Sequence, residues 1–444
     1  MKIFPSNRCF AVVALFLMSL SSQADEVRKT ISKDYSDYLE PLFIHFHKNP
    51  ELSLVEHKTA ARMAKELAAA GFKVTEGVGG TGVVAKMHNG EGPLVMMRAD
   101  MDGLPVEEKS GLSYASKATQ KSPITGKEVP VMHACGHDVH ITSLVGTARY
   151  MSNNKDQWAG TLMLIVQPAE ERIKGAKMMM EDNLWERFGQ PDYALAFHVT
   201  SGLPSNMVNV VAGSPYAGSD TVDIIIHGVG AHGASPHAGK DPIVLGSQIV
   251  MALQTLVARE LPPRDPGVVT VGSFHSGTKH NIISDKAHLQ LTVRNTSLQT
   301  RKLLLDGIKR IAENMGRVAG LPEDKLPEVI LSSESTPPTV NDIPLANQLK
   351  NLWVKKMGKE NVSTYGSKGM GAEDFPYFTT DPSIRSVYFA IGATPVEDFE
   401  AAKNGGPAIP SHHSPLFKVK PKPGVITGTT ATIHALMELM PTGN

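Results

Sequence analysis

Three short apolar runs, each breaking off into acids or a histidine, constrain this chain more than any other feature. "GPLVMMRADMDGLP" ends on Arg98, Asp100 and Asp102, "GTLMLIVQPAEE" ends on Glu170 and Glu171, and "PDYALAFHV" ends on His198. Unbroken apolar strands need cover on both faces, and helical spacers between them supply it. The pattern predicts an α/β domain built on a buried, mostly parallel sheet covered by helices. In such sheets a ligand crevice opens beyond the carboxyl ends of the strands. All three polar clusters fall at that edge.

The stretch before the runs, residues 25–75, reads as helical. "HKTAARMAKELAAAGFKV" is rich in alanine, lysine and leucine, and Gly71 is a natural helix stop. Around residue 213 the texture changes. "TVDIIIHGVGAHG", "GVVTVGSFHSG" and "KAHLQLTVRN" read as strands, while "DPIVLGSQIVMALQTLVARE" and "TRKLLLDGIKRIAENMGRVAG" read as amphipathic helices. That β-α-β-β-α order fits a small α+β two-layer, ferredoxin-like domain. It reads as an insertion, because "VYFAIGA" further on has the texture of another strand of the first sheet. "STPPTVND" (residues 335–342) is the expected linker back. The expected division is a main domain over residues 25–212 and 327–444, interrupted by a smaller domain over residues 213–326; the family resemblance given below implies that these are the catalytic and the lid or dimerisation domain.

Residues 1–24 read as a cleavable export signal. Lys2 and Arg8 precede an apolar run, "FAVVALFLMSL", and Ser22-Gln23-Ala24 has the small residues of a cleavage site. The run is too short for a permanent membrane anchor. A periplasmic or secreted location is therefore expected. Cleavage removes Cys9 and leaves Cys135 as the single cysteine, so no internal disulfide can form. Basic and acidic residues balance at 44 each, which argues against nucleic acid as a partner.

The remaining thiol lies in "MHACGHDVH" (residues 132–140), beside three histidines and an aspartate. Cys135 and His137 are one residue apart, and Gly136 allows the bend that would point both at one metal ion. A lone pair of this kind is a weak signal, since buried cysteines and satisfied histidines are common. Glu171, His198 and, near the C-terminus, His413 add to it. Thiolate, imidazole and carboxylate together suit zinc, manganese, cobalt or nickel, whereas calcium does not favour sulfur. Five such donors exceed what one tetrahedral ion needs, so two divalent ions sharing a bridging group is the natural arrangement. Of the Glu170–Glu171 pair, one carboxylate can ligate while the other stays free to take a proton. The pair also reads simply as solvated charge at a strand end.

"FHKNPELSLVEHKTA", "RADMDGLPVEE", "MHACGHDVH", "QPAEE", "FHV", "GVGAHGASPH", "NIISDKAHLQLTVR", "GAEDF" and "HHSPLF" follow one another across residues 46–417. Together they resemble the dinuclear metallopeptidase family of aminoacylases and carboxypeptidase G, most closely its branch of hippurate hydrolases and indoleacetyl-amino-acid hydrolases. The resemblance implies metal ligands at Cys135, His137, Glu171, His198 and His413, and a general base at Glu170. It also implies a transition-state-stabilising histidine at His232, and contacts to a substrate carboxylate from Asn281 and Arg294. In the broader family a histidine ligand stands where this chain has Asp100, so neither Asp100 nor Asp102 is assigned as a ligand. His412 adjoins His413, and the "HSPLF" spacing favours the latter. His133, His140 and His237 read as structural or supporting, and Met178, Met179 and Met180 as helix packing.

The function expected is hydrolysis of the amide bond of N-acyl amino acids or related small conjugates and dipeptides, by metal-bound hydroxide with Glu170 as base. A homodimer or larger assembly is implied, with His232 reaching a neighbour's site. Two rivals stand beside this reading. One is a hydrolase with Cys135 as nucleophile and His137 as its base. The other is a non-catalytic periplasmic protein that binds metal or peptide.

Overall fold

A computed structural model describes residues 26–366 and 369–443. The expected export signal lies outside the described residues. The chain divides into two compact units, one built from the residues up to Gly213 with Asn341–Tyr365 and the residues from Phe378 onward, the other from Ser214–Val340 and Gly366–Tyr377.

The first unit is organised by an eight-stranded mixed sheet. Its centre is parallel. Gly160–Gln167, Leu94–Asp100, Tyr193–Pro204 and Arg385–Thr394 lie side by side in that order, all running one way. These are the apolar runs of the sequence, together with the strand that carries "VYFAIGA". On one flank Lys73–Val78 and Gly82–Asn89 add an antiparallel pair, and the two-residue strands Val208–Asn209 and Val362–Ser363 close the other. The antiparallel flank follows from local chemistry. Gly79 and Gly80 both take positive φ and turn the chain tightly between the two strands.

The helices cover this sheet as expected. His137–Asn153 is buried at nearly every position, and Pro421–Leu439 packs beside it. Small residues bring the two axes close: a side chain on Gly146 would meet Thr429 and Leu39. Trp158, Trp353, Phe43, Phe46, Phe389 and Phe417 fill the surrounding core. Each such aromatic contributes about 1.5–3 kcal/mol by leaving water.

The helical reading of residues 25–75 needs correction. Residues 26–48 and His57–Ala69 are helical, but residues 49–56 are not, and Lys73–Val78 is a strand. Pro50 disfavours helix at the residue before it, and Leu54 adopts a left-handed φ of 74°. The irregular segment this leaves lies against the site described below.

The second unit carries a four-stranded antiparallel sheet in the order Gly267–Ser276, Lys286–Asn295, Gly218–His227, Glu328–Leu331. Apolar residues alternate along Gly218–His227 and Lys286–Asn295, and their inward faces pack under the helices Pro242–Thr255 and Leu298–Val318. Asp241 and Ser297 cap those helices by accepting from backbone N–H groups of the first turn. With the edge strand Glu328–Leu331 the order becomes β-α-β-β-α-β, the ferredoxin-like arrangement.

Candidate metal centre

Within the first unit, the loops at the carboxyl ends of the parallel strands converge on one buried cluster. Cys135 and His137 flank Gly136, which has φ 86° and begins the His137–Asn153 helix. A side chain at Gly136 would run into Val199, so only glycine lets the loop lie this close to the neighbouring strand. The bend turns the thiol and the imidazole into the same space.

His137 is held by its far nitrogen. Nδ1–H donates to the carbonyl of Asp102 at 2.9 Å, which points Nε2 inward. That Nε2 lies 3.7 Å from Asp100 Oδ2, 3.8 Å from Glu170 Oε2 and 3.9 Å from Glu171 Oε1. His198 is oriented in the same manner. Its Nδ1–H donates to the Val199 carbonyl at 2.6 Å, and its Nε2 faces Cys135 Sγ at 3.4 Å. The strand bearing His198 does not end there, as the sequence suggested, but runs on to Pro204 in register with Arg385–Thr394. His413 places Nε2 3.3 Å from Glu171 Oε2. Its neighbour His412 turns the other way and donates to the Val199 carbonyl. Of the two, His413 is the one grouped with Cys135 and Glu171.

Potential ligand atoms of Cys135, His137 and His198 lie within 4.8 Å of one another, and so do those of Cys135, Glu171 and His413. Cys135 is common to both sets. Glu170 forms a further group with His137 and Glu171 and is buried.

The buried groups of the cluster shift one another strongly. Burial, together with Glu171, Glu170 and Asp100, pushes the Cys135 thiol well above its ordinary range. Burial opposes a charge on His137, yet Asp100, Asp102 and Glu171 outweigh it and raise that imidazole to about 10. Burial and the neighbouring His140 and His412 hold His198 well below its ordinary value. Among the described residues, the buried atoms His137 Nε2 and Glu171 Oε1 have no hydrogen-bond partner. Buried polar atoms are rarely left so. A thiol, three imidazoles and a carboxylate crowded together in this way fit divalent metal ions.

Asp100 answers to other partners. Burial would raise its pKa, but Arg98, His137 and His140 hold it well below the carboxylate range. Arg98 donates to it at 2.6 Å and His140 Nδ1–H at 2.5 Å, while His140 Nε2 accepts from the Val199 amide at 2.8 Å. His140 is thereby a supporting residue. His133 is buried with neither ring nitrogen hydrogen-bonded among the described residues.

In the second unit, the short strand Ala231–His232 pairs with Ile282–Ile283. His232 is exposed, and its Nδ1 accepts from the Ala234 amide at 3.0 Å, leaving Nε2 as the outward donor. Asn281 is adjacent, its carbonyl accepting from the Gly233 amide. Arg294 lies on Lys286–Asn295, opposite Ser219 and Val268, and is partly buried. His237 is exposed in the turn Pro236–Ala238.

The model of peptidase family M20/M25/M40 matches residues 96–404. The chain belongs to that family. Thermostable carboxypeptidase 2 of Saccharolobus solfataricus is 35% identical over 371 residues, 83% of this chain and 88% of that protein. The hippurate hydrolase of Campylobacter jejuni is 34% identical over 346 residues, 78% of this chain and 86% of that one. Among solved structures, a Bacillus subtilis protein described as a dinuclear metal binding peptidase of the M20 family shares the fold. It has a TM-score of 0.73 at 24% identity and covers 92% of this chain and 99% of its own.

As an M20 family member the chain is a metal-dependent amidohydrolase, and both rival readings fall. The Cys135 thiol has His198 Nε2 at 3.4 Å, so a His137 base is not the contact it makes. Ser53 and Glu56, which bond Asp102 and the Ala169 amide, escaped the sequence reading, and so did the pairing of Arg98 with Asp100. The first two lie in "PELSLVE", where a helix was expected and the break at Pro50 was the available signal.

Proposed function

We propose that this M20 family enzyme hydrolyses N-acyl amino acids or related small conjugates and dipeptides, with two divalent ions that Cys135, His137, Glu171, His198 and His413 would hold. The membership of Cys135 in both three-residue groups carries this reading. His137 and His198 would complete one ion's ligands, and Glu171 and His413 the other's. Such ions polarise an amide carbonyl and make water easier to deprotonate. Zinc, manganese, cobalt and nickel all suit the mixed donor set.

The protein's own groups then divide the work. Glu170 is in neither Cys135-centred group, yet its carboxylate lies 3.8 Å from His137 Nε2. It is the base that takes a proton from the attacking water and the acid that returns it to the leaving amine. Asp102 keeps Nε2 of His137 turned inward by accepting from Nδ1–H. His232, with Nδ1 already accepting, has Nε2–H available for the oxyanion. Arg294 and Asn281 would receive the substrate carboxylate, a task suited to a planar guanidinium. The similarity to a hippurate hydrolase supports an acylated amino acid as substrate.

The decisive experiment combines metal analysis of purified protein with a screen of N-acyl amino acids and dipeptides. Two ions per chain and turnover of an acyl amino acid are expected. Turnover that survives complete chelation would refute the reading. We also propose export, with cleavage after Ala24, and a homodimer. N-terminal sequencing of the mature protein and its mass in solution test these two points.

A further inference from the structure

The segment "PELSLVEHKT" (residues 50–59) has no part in the chemistry above, yet it grips the loops that carry it. Leu54 at φ 74° and Ala169 at φ 48° are among six described residues with side chains that adopt the left-handed conformation favouring glycine. Ala169 immediately precedes the glutamate pair. Its amide and that of Leu54 converge on a single oxygen, Glu56 Oε1, at 2.8 and 3.0 Å. The other oxygen of Glu56 accepts from the Thr81 hydroxyl at 2.6 Å. Glu56 is fully buried and, among the described residues, has no ion-pair partner. A buried acid without a cation is a costly way to fill space. What it supplies here is one oxygen that accepts from the amides of two residues in the left-handed conformation.

The same segment reaches the cluster by a second route. Ser53 Oγ–H donates to Asp102 Oδ2 at 2.6 Å, and that oxygen also accepts from the Glu171 amide at 3.0 Å. The Asp102 carbonyl is the acceptor that orients His137. The Gly103 amide in turn donates to the Glu51 carbonyl at 2.7 Å. The loop bearing Asp102 and the turn bearing Glu170 and Glu171 are thus both fastened to residues 51–56.

We propose that Glu56 is a positioning residue: its carboxylate holds Ala169 in the left-handed conformation, which aims Glu170 and Glu171 into the cluster. Ser53 assists through Asp102. The proposal rests on reading Glu170 as base and Glu171 as ligand. Without the acceptor, Ala169 relaxes toward ordinary backbone angles and the two carboxylates swing away together. Glutamine at position 56 keeps an oxygen for both amides, and the Thr81 hydroxyl can accept from its amide group instead.

The test is cobalt(II) titration of metal-free protein, read through the thiolate-to-cobalt absorption of Cys135, alongside steady-state kinetics. Glu56→Ala is expected to weaken binding of the second equivalent by about ten- to a hundredfold, the usual cost of losing a residue that orients ligands. Its kcat should fall with KM little changed. Glu56→Gln should restore most of both. Ala169→Gly added to Glu56→Ala should recover part of the loss, since glycine takes this conformation unaided. Unchanged cobalt affinity in Glu56→Ala, or a Glu56→Gln as impaired as Glu56→Ala, would overturn the proposal. If Glu56→Ala does not fold, Ser53→Ala carries the test, with about a tenfold loss expected and none overturning it. Glu171→Gln separates the two readings. Full cobalt binding there removes the ligand assignment, whereas full binding in Glu56→Ala beside a weakened Glu171→Gln removes the brace alone.

Discussion

His47 Nδ1 and Asp138 Oδ2 meet at 2.7 Å, one residue along the chain from His137. The other nitrogen of His47 reaches Glu108 Oε1 at 3.1 Å. This imidazole therefore links the helix Glu40–Lys48 to the start of the His137–Asn153 helix and to the loop carrying Glu108. Burial alone would lower its pKa, but Asp138 and Glu108 together raise it to about 9.

A stability profile follows, with its sign fixed by that shift. A histidine whose pKa is higher in the folded state than the ordinary value of about 6.5 stabilises the fold when protonated. The contribution is complete below about pH 6.5 and disappears as pH rises through about 9. Its size is roughly 3 kcal/mol. Urea unfolding of wild type and His47→Gln at pH 6, 7.5 and 9.5 checks it. The difference in stability between them should shrink steadily across the series, and a constant gap would show that His47 contributes only packing.

Arg98 and Asp100 give a second prediction. Both are buried, with Arg98 Nη1 2.6 Å from Asp100 Oδ2. Arg98→Leu removes the cation and leaves the anion in the core, at a cost of about 3–5 kcal/mol. Arg98→Leu combined with Asp100→Asn should be markedly more stable than Arg98→Leu alone. Additive losses in thermal unfolding would mean that the pair is not coupled.

The parallel centre of the large sheet was legible because its strands are apolar from end to end and break abruptly into polar residues. The second unit was legible through alternation. What stayed hidden was irregular backbone. No periodicity marks residues 49–56, and a left-handed Leu54 or Ala169 leaves no compositional trace, so Glu56 fell within a stretch read as helical throughout. The candidate ligands were visible individually at strand ends and beside Gly136. That Cys135 belongs to two groups at once is a fact of three dimensions, fixed by where Glu171 and His198 arrive from separate strands. The "HSPLF" spacing already favoured His413 over His412, and the structure adds that His413 faces Glu171 while His412 donates to the Val199 carbonyl.

Cys135 should therefore be the most damaging ligand to lose. His198→Ala or His413→Ala removes a donor from one group, whereas Cys135→Ala removes one from both. Bound metal after dialysis should fall furthest in Cys135→Ala, with each histidine variant retaining about one ion. Equal retention in all three variants would show that the thiol is not shared.

The glutamate pair should divide cleanly. Glu170→Gln is expected to lower kcat by about 10²–10⁴-fold, the range for loss of a general base, with metal content intact. Glu171→Gln should lose metal as well as activity. Equal metal loss in both would show that the two carboxylates do the same job.

Arg294 provides the test of substrate recognition. It is partly buried on the Lys286–Asn295 strand. Burial lowers its pKa and Asp220 partly offsets that, and the group stays cationic because a guanidinium starts so high. Asp220 itself is engaged in both oxygens by Arg301, at 2.7 to 3.1 Å. The arrangement leaves the Arg294 cation to attract an anion from outside the fold. If that anion is the free carboxylate of the amino acid being released, Arg294→Ala should raise KM for carboxylate substrates. Loss of charge-assisted hydrogen bonds worth about 1.5–3 kcal/mol corresponds to roughly ten- to a hundredfold. An amidated analogue lacks the anion, so it should start as a poor substrate and scarcely respond to the substitution. Arg294→Lys should recover only part of the loss, because a single ammonium cannot reproduce the two-pronged geometry. Paired measurements of kcat/KM on an acyl amino acid and its amide decide the matter. An equal decline on both would place Arg294 in the stability of the sheet rather than in recognition.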